Sequence, residues 1–238
     1  GVELPVQAVP PIQKQLVRKC RAAAKPVIVA TQMLESMIES SMPTRAEVSD
    51  VANSIYEGTD AIMLSAESAA GLFPIEAVTT MNNVAIEVER DPTYTAILEA
   101  SRSVQGKSVA DSIVAAAREI ADTTDVKAIA CFTSSGTTAS LTARERPRVP
   151  IIALTANIST ARRLCLTWGT NCVITGPVDR FKTAVVAAVR AAVSQGFAEE
   201  CDQITVTAGV PFNQAGTTNI LRVAPCEERL IFRSEPDN

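Results

Sequence analysis

The chain has 238 residues, of which 47% are hydrophobic, and a formal net charge of −4. This composition favours a globular protein of one large or two modest domains and argues against intrinsic disorder. No apolar segment is long enough to cross a bilayer, and no Lys/Arg cluster is interleaved with aromatic residues. We therefore expect neither a membrane partner nor a nucleic-acid partner.

The sequence contains no histidine. The usual general base, the usual zinc ligand and the histidine of a Ser or Cys triad are therefore excluded. No metal site is predicted from the sequence pattern. Chemistry in this chain must depend on carboxylates, hydroxyls, Lys/Arg or backbone groups.

The six cysteines are widely spaced and form no C-x-x-C pair. This spacing favours buried thiols in a reducing cytoplasm over a disulfide framework. The opening segment, Gly1 to Pro5, also lacks the basic and apolar stretches of a signal peptide. We expect a cytoplasmic location.

The first half alternates helical and strand patterns. The predicted elements are a helix over 6–24, a strand over 27–30, a helix over 45–57, a strand over 60–64 and a helix over 74–90. Thr44 is a predicted N-cap, with Glu47 as its capping-box partner. Because two strands cannot bury both faces of a sheet, this half looks incomplete.

The second half predicts a complete doubly wound α/β domain. Residues 93–107 are predicted as a linker, after which Ser108 caps a helix. The predicted apolar face of that helix comprises Val109, Ile113, Ala116, Ala117 and Ile120. Further strands and helices alternate to the end of the chain.

Polar residues follow both strands of the first half. Thr31 ends the first strand, and Ser65 opens "SAESAAG" after the second. Ligands of α/β folds bind at the carboxyl ends of strands, so this edge is a candidate site. From the pattern alone, a functional role for Thr31 stays open.

The segment "TSSGTTAS", Thr133 to Ser140, places six hydroxyl residues around Gly136 between a strand and a helix. Free amides at a helix N-terminus together with hydroxyls favour anion binding. The alternative is an ordinary Ser/Thr cap, which needs only one hydroxyl.

Three basic features have a structural and a functional interpretation. "SRSVQGKS" ends like a Walker A loop but lacks its first glycine and a preceding strand, so it is interpreted as linker plus N-cap. Arg144, Arg146 and Arg148 could contact a phosphate or a partner chain, although a solvated helix end is favoured. Arg45 alone would pass for a surface ion pair.

Several long segments together resemble pyruvate kinase. They are "GVELP", "KPVIVATQMLESMIESSMPTRAEVSDVANSIYEGTDAIMLSAESAAG", "FPIEAV", "RPRVPIIALTANISTAR" and "GTTNILRV". The resemblance is dense over Gly1 to Val84 and continues to the end of the chain.

The resemblance implies a fold and a domain organisation. Residues 1–92 would be the terminal βα units of a TIM (β/α)8 barrel, 93–107 a linker, and 108–238 the C-terminal α/β, effector-binding domain. The family's Mg2+ carboxylates, catalytic Lys, K+ ligands and most nucleotide contacts are expected upstream of Gly1.

The resemblance also assigns individual residues. Thr31 matches the threonine that contacts phosphoenolpyruvate and is implicated in protonating the enolpyruvate. Ser65 matches a serine proposed for the same proton relay, and Arg45 matches a subunit-interface arginine of a homotetramer.

The hydroxyl segment corresponds to the loop that binds a phosphate of the allosteric effector. The residues carried over are Thr133, Ser134, Ser135, Gly136 and Thr138. Ser134 and Thr137 replace the Lys and Arg of fructose-bisphosphate-responsive relatives, so the resemblance leaves the effector unidentified.

The expected activity is phosphoryl transfer from phosphoenolpyruvate to ADP, giving pyruvate and ATP in glycolysis, with Mg2+ and K+. Without the upstream residues, this chain is expected to be inactive alone. The alternative is a stand-alone regulatory module that binds a phosphorylated metabolite. A reading frame that extends upstream of Gly1 would favour the enzyme.

Overall fold

The computed structural model describes residues 4–30, 32–102, 106–212 and 217–231. The chain divides into two compact units, residues 1–103 and 104–238. This division falls inside the segment predicted as a linker. In the described part of the chain, none of the helices combines the length and the apolar character needed to span a bilayer.

The first unit is mostly helical. Its elements are α1 (Val9–Ala22), β1 (Ile28–Ala30), α2 (Arg45–Tyr56), β2 (Ala61–Met63), α3 (Ala66–Ala69), α4 (Pro74–Arg90) and α5 (Pro92–Ala100), with 3-10 helices at Val6–Ala8 and Glu35–Ile38. Strands β1 and β2 pair in parallel, with Ala30 opposite Met63. The carboxyl ends of the two strands therefore lie at the same edge.

Side chains from the strands and helices of this unit share one core, which includes Val17, Val29, Met37, Val51 and Met81. The predicted capping box of α2 is confirmed, since Thr44 and Glu47 exchange both of its hydrogen bonds.

Helix α5 lies in the segment predicted as a linker. Asp91 caps it by accepting a hydrogen bond from the Thr93 N–H at 2.9 Å, and Tyr94 and Leu98 are buried in the core of the first unit. The segment predicted as a linker, 93–107, therefore begins within a helix that packs on the first unit. The domain limits 1–92 and 108–238 stay predictions.

The second unit is built on a five-stranded sheet. Its elements are α6 (Val109–Thr123), β3 (Ile129–Phe132), α7 (Thr137–Arg144), β4 (Ile151–Thr155), α8 (Ile158–Leu164), β5 (Thr170–Ile174), α9 (Phe181–Ser194), β6 (Gln203–Gly209), β7 (Thr218–Pro225) and α10 (Glu228–Ile231). The strand order is β5-β4-β3-β6-β7, and only β7 is antiparallel to its neighbour.

Helices cover both faces of this sheet. Along β4, Ile152 and Leu154 pack in the same cluster as Val189 of α9. The alternate residues, Ile151 and Ala153, pack in a second cluster with residues of α6, α7 and α8. Because successive strand side chains point to opposite faces, this arrangement confirms the predicted doubly wound fold.

The order of the strands reverses at β3. The chain passes from β3 outward through β4 to β5, and then crosses back to place β6 on the other side of β3. The loops that follow β3 and β6 therefore separate at this point and leave a crevice, which is where ligands bind in such sheets.

The buried face of α6 differs from the predicted one. Ser108 caps the helix as predicted, but Val109 is 65% exposed. The buried residues are Asp111, Val114, Ala117, Arg118 and Ala121. Asp111 is drawn inward because Ser108 and Arg144 both donate hydrogen bonds to its carboxylate.

The arginines after α7 do not form an open basic patch. The side chain of Arg144 is buried and lies 2.8 Å from Asp111 and 3.1 Å from Glu145. The Arg146 guanidinium is stacked 4.8 Å from the ring centre of Trp168. The solvated interpretation is therefore wrong for these two residues, and only Arg148 of the three is exposed.

A core substitution tests the assignment of faces in the second unit. Ile152 is fully buried, so Ile152→Ala should lower the free energy of unfolding by about 2–5 kcal/mol. Ile174→Ala on β5 removes a side chain that is 52% exposed and should change it by less than about 0.5 kcal/mol. Trp168 is the single tryptophan of the chain, so its fluorescence during denaturant unfolding reports this unit. Equal losses of unfolding free energy in the two variants would contradict the assignment of Ile152 to a buried face of the sheet.

Candidate functional site

The first candidate site is the edge at which β1 and β2 end. Thr31 comes directly after β1 in sequence but lies outside the described residues, so its role stays a prediction. Ser65 follows β2 at the N-terminus of α3 and is exposed. Its hydroxyl makes no hydrogen bond to any described residue, which leaves it available to a ligand.

Glu67 connects the segments that follow the two strands. Its side chain is buried, and its carboxylate accepts hydrogen bonds from the N–H groups of Leu34 at 3.2 Å and Ser65 at 2.8 Å. Burial by itself would raise the pKa of Glu67, but the backbone N–H donors outweigh it and keep the pKa below its ordinary value. The ionised carboxylate therefore fixes the Leu34 segment against the Ser65 segment.

Glu47 makes a second connection to the chain after β1. Besides its capping box with Thr44, its carboxylate accepts hydrogen bonds from the Ser36 N–H at 2.7 Å and the Ser36 hydroxyl at 2.6 Å. Partial burial opposes ionisation, but the hydrogen bonds from Ser36 and Thr44 lower the pKa of Glu47 to about 2. The residue thus ties the 3-10 helix to the start of α2.

Sequence reasoning identified Glu47 only as a cap and did not select Glu67. A signal for Glu67 was present, because it is the one charged residue in "SAESAAG". Its partner Leu34 is 33 positions away in sequence, so the hydrogen bond was not predictable from the segment alone.

Arg45 is the first residue of α2 and is exposed. Within the parts of the chain that the structure describes, its side chain has neither an ion pair nor a hydrogen bond. The interpretation as an internal surface ion pair is therefore not supported there, and the interface role stays a prediction.

The second candidate site is a cavity of about 440 Å³ in the second unit. It lies at the carboxyl ends of β3, β4, β5 and β6 and at the start of β7, where the strand order reverses. Hydroxyl residues line one part of it, and Phe132, Leu154, Ile158, Val178 and Phe212 line another. None of the described lining residues carries a charge.

The predicted hydroxyl segment forms part of the cavity wall. Gly136 has a φ of +94° and precedes α7, and its N–H donates to the Thr133 hydroxyl at 2.9 Å. The Ser135 hydroxyl lies 2.9 Å from that of Thr137, and the Thr138 hydroxyl lies 2.6 Å from that of Thr218. Thr133 and Thr138 are thus partly committed to internal contacts, whereas Ser134 and Ser135 are exposed.

Residues of α8 donate hydrogen bonds to the backbone of this segment, and the sequence pattern did not identify them. Asn157 caps α8, the Thr160 hydroxyl donates to the Ser134 carbonyl at 2.9 Å, and Arg163 donates to the Ser135 carbonyl at 3.2 Å. The available signal was Asn157, which comes two residues after the end of β4 and precedes Ile-Ser-Thr, since an Asn at such a position is typical of a helix N-cap.

No group of three or more His, Cys, Asp or Glu side chains in the described ranges is arranged to hold a metal ion. The described residues therefore do not fit a metal centre made by this chain alone.

Two family models match the chain in succession. "Pyruvate kinase, barrel domain" matches residues 1–78, and "Pyruvate kinase, alpha/beta domain" matches residues 111–224. The first unit thus has terminal βα units of a barrel, and the second has the α/β domain. The chain belongs to the pyruvate kinase family, as the resemblance predicted.

Individual relatives agree with this assignment. Pyruvate kinases of Methylorubrum extorquens and Agrobacterium vitis are 49% and 50% identical over 94% of this chain and 47% of each relative. A solved pyruvate kinase from Cryptosporidium parvum is 34% identical with a TM-score of 0.86, covering 95% of this chain and 45% of that one. The chain spans about half the length of these relatives.

The lowered pKa of Glu47 predicts a pH-dependent contribution to stability. Because the folded-state pKa lies below the unfolded one, the contribution is present at neutral pH and is lost as the pH falls from about 5 to about 2. Glu47→Gln should lower the stability of the first unit by about 1–2 kcal/mol at pH 7, a value reduced for the exposure of this site to solvent. The difference from wild type should shrink at low pH.

Hydrogen exchange of peptides covering residues 32–48 measures this effect locally. Glu39→Gln, which changes an exposed carboxylate nearby, is the matched control. A difference that stays constant down to pH 2 would show that Glu47 acts in another way.

Proposed function

We propose that this chain forms the terminal barrel units and the effector domain of a pyruvate kinase that acts in cytoplasmic glycolysis. The enzyme would transfer a phosphoryl group from phosphoenolpyruvate to ADP and release pyruvate and ATP. The main support is that both family domains match in order, with the polar edge after β1 and β2 in the barrel part.

Thr31 is the proposed catalytic hydroxyl of this edge. It would donate a hydrogen bond to the substrate carboxylate and relay a proton to the enolpyruvate, with Ser65 as a member of the relay. The exposed Ser65 hydroxyl supports this role, because it is not used by a described residue. Glu67 would hold the segments around the two hydroxyls in register.

Phosphoryl transfer also requires cations that clamp the charge of the transferred group. The enzyme would use Mg2+ and K+, whose ligands the resemblance places in the part of the family's barrel that precedes this segment. The isolated chain should therefore be inactive.

The cavity of the second unit is the proposed site of a phosphorylated effector. Thr133, Ser134, Ser135, Gly136 and Thr138 would surround its phosphate at the N-terminus of α7. An uncharged wall supports this proposal, because no described carboxylate would repel the anion.

The alternative function is a regulatory module that binds a phosphorylated metabolite without catalysis. One observation favours it: the described wall of the cavity lies entirely within the second unit. An upstream extension of the reading frame through the metal-binding barrel would exclude this alternative.

Assembly is proposed to be homotetrameric, with Arg45 at a subunit interface. The exposed Arg45 side chain has no described partner, which is compatible with a contact to another subunit. The expected interface therefore involves the start of α2.

Replacement of Thr31 tests the catalytic proposal in the full-length enzyme. Thr31→Val keeps the shape but removes the hydroxyl, and should lower kcat about 10²–10⁴-fold in a coupled assay. It should also slow solvent-hydron exchange at C3 of pyruvate. Ser49→Ala removes an exposed hydroxyl that donates to the Arg45 carbonyl and to no other described residue, and should leave both rates unchanged.

Two results would contradict this proposal. One is an unchanged kcat in Thr31→Val, and the other is ADP-dependent pyruvate formation by the isolated 238-residue chain.

Anion binding tests the effector proposal. Inorganic phosphate at about 100 times its Kd should stabilise the second unit by about 2.7 kcal/mol through mass action. The Trp168 fluorescence transition should then move to higher temperature. A Thr133→Ala, Ser135→Ala double variant should lose this shift, whereas Ser194→Ala, on a helix outside the described cavity wall, should retain it. An equal shift in all three proteins would exclude binding at this segment.

A further inference from the structure

Helix α8 holds the backbone of the hydroxyl segment at two successive residues. The Thr160 hydroxyl donates to the Ser134 carbonyl at 2.9 Å, and the Arg163 guanidinium donates to the Ser135 carbonyl at 3.2 Å. The same guanidinium nitrogen also donates to the Thr160 hydroxyl at 3.2 Å, so the two anchors are themselves connected. Both carbonyl oxygens are therefore occupied by donors from α8.

These two hydrogen bonds orient the peptide groups between Ser134 and Gly136. In a trans peptide group the C=O and the N–H point in opposite directions, so carbonyls held by α8 turn the next N–H groups away from that helix. The Gly136 N–H donates to the Thr133 hydroxyl at 2.9 Å, whereas no described residue accepts a hydrogen bond from the Ser135 N–H. Because Ser135 lines the cavity, its N–H is available to an anion there.

Gly136 allows α8 to approach the segment this closely. A Cβ at this position would lie 3.3 Å from the Leu164 side chain and 3.4 Å from the Thr160 side chain, and the φ of +94° is one that L side chains rarely adopt. Thr160 is 1% exposed, so its contact with the segment is packed as well as hydrogen-bonded. The segment therefore has a fixed position against α8.

Arg163 brings a positive charge to this contact. Its side chain is exposed, and in the described ranges no carboxylate forms an ion pair with it. The described cavity wall carries no charge, and the four residues between Phe212 and Thr217 are Asn, Gln, Ala and Gly, which are also neutral. The guanidinium bound to the Ser135 carbonyl is therefore an uncompensated cation beside a neutral wall.

We propose that Arg163 is a positioning residue of the effector site and sets the affinity of that site for phosphate. It holds the Ser135 carbonyl away from the bound anion, and its charge stabilises an anion at Ser134 and Ser135. Arg163 acts through the backbone and through its electric field, and does not need to touch the phosphate. The inference rests on the proposed effector site and adds α8 to the residues that determine its affinity.

Replacement of Arg163 tests this inference, with inorganic phosphate as the probe. The Kd is measured in the 238-residue chain from the protection that phosphate gives to hydrogen exchange in peptides covering residues 133–144. Arg163→Gln keeps a hydrogen-bond donor without the charge and should weaken binding about 3- to 30-fold, the range for one unit charge acting through partly solvated protein. Arg163→Lys keeps the charge and should bind within about threefold of wild type.

Arg162→Ala is the matched control. It removes an exposed arginine of the same helix that has neither an ion pair nor a hydrogen bond to any described residue, and it should bind phosphate as wild type does.

Ionic strength separates the charge from a purely structural role. Salt screens charges that are exposed to solvent, so the ratio of the Kd values of Arg163→Gln and wild type should shrink as NaCl rises from about 0.05 M to about 0.5 M. A ratio that stays constant over this range would mean that the charge has no role, and would overturn the inference.

The binding results also distinguish this inference from the effector proposal. If phosphate protects the wild-type segment, but Arg163→Gln binds equally well or Arg163→Lys binds no better than Arg163→Gln, the effector site stands and the role of Arg163 is wrong. If phosphate gives the wild-type segment no protection at any concentration, both the effector site and the role of Arg163 are wrong.

Discussion

The backbone N–H groups that follow the parallel strands must find acceptors, and the two units meet this requirement differently. In the first unit, the carboxylates of Glu67 and Glu47 accept from Leu34, Ser65 and Ser36. In the second, neutral oxygens of Thr133 and Asn157 cap the loops. An unsatisfied buried amide costs about 1–3 kcal/mol, so these side chains fix the shape of both edges.

The choice of acceptor also sets the charge at each edge. Glu47 and Glu67 stay ionised because their hydrogen bonds outweigh partial burial, and the charge on Glu47 acts against ionisation of Glu67. The first edge is therefore acidic. This charge suits a barrel site that is proposed to work with cations bound by neighbouring parts of the enzyme. The second edge is neutral and hydroxyl-rich in its described part, which suits an anionic effector.

The sequence predicted local features best where the signal was local. The helix over Pro74–Arg90, the capping box of Thr44 and the strand over Ile28–Ala30 follow from periodicity and capping residues. The candidate edges were also predictable, because polar residues follow apolar strands. Glu67 was missed because its importance depends on Leu34, which comes from a different βα unit.

The sequence by itself determined the family, the α/β class and the position of the hydroxyl segment, since these depend on residue type and order. Only the tertiary structure decided which polar groups turn inward. Asp111 and Arg144 are 33 positions apart in sequence, and both side chains are buried because each neutralises the charge of the other. Such pairings depend on distances in space, and a pattern along the chain does not contain them.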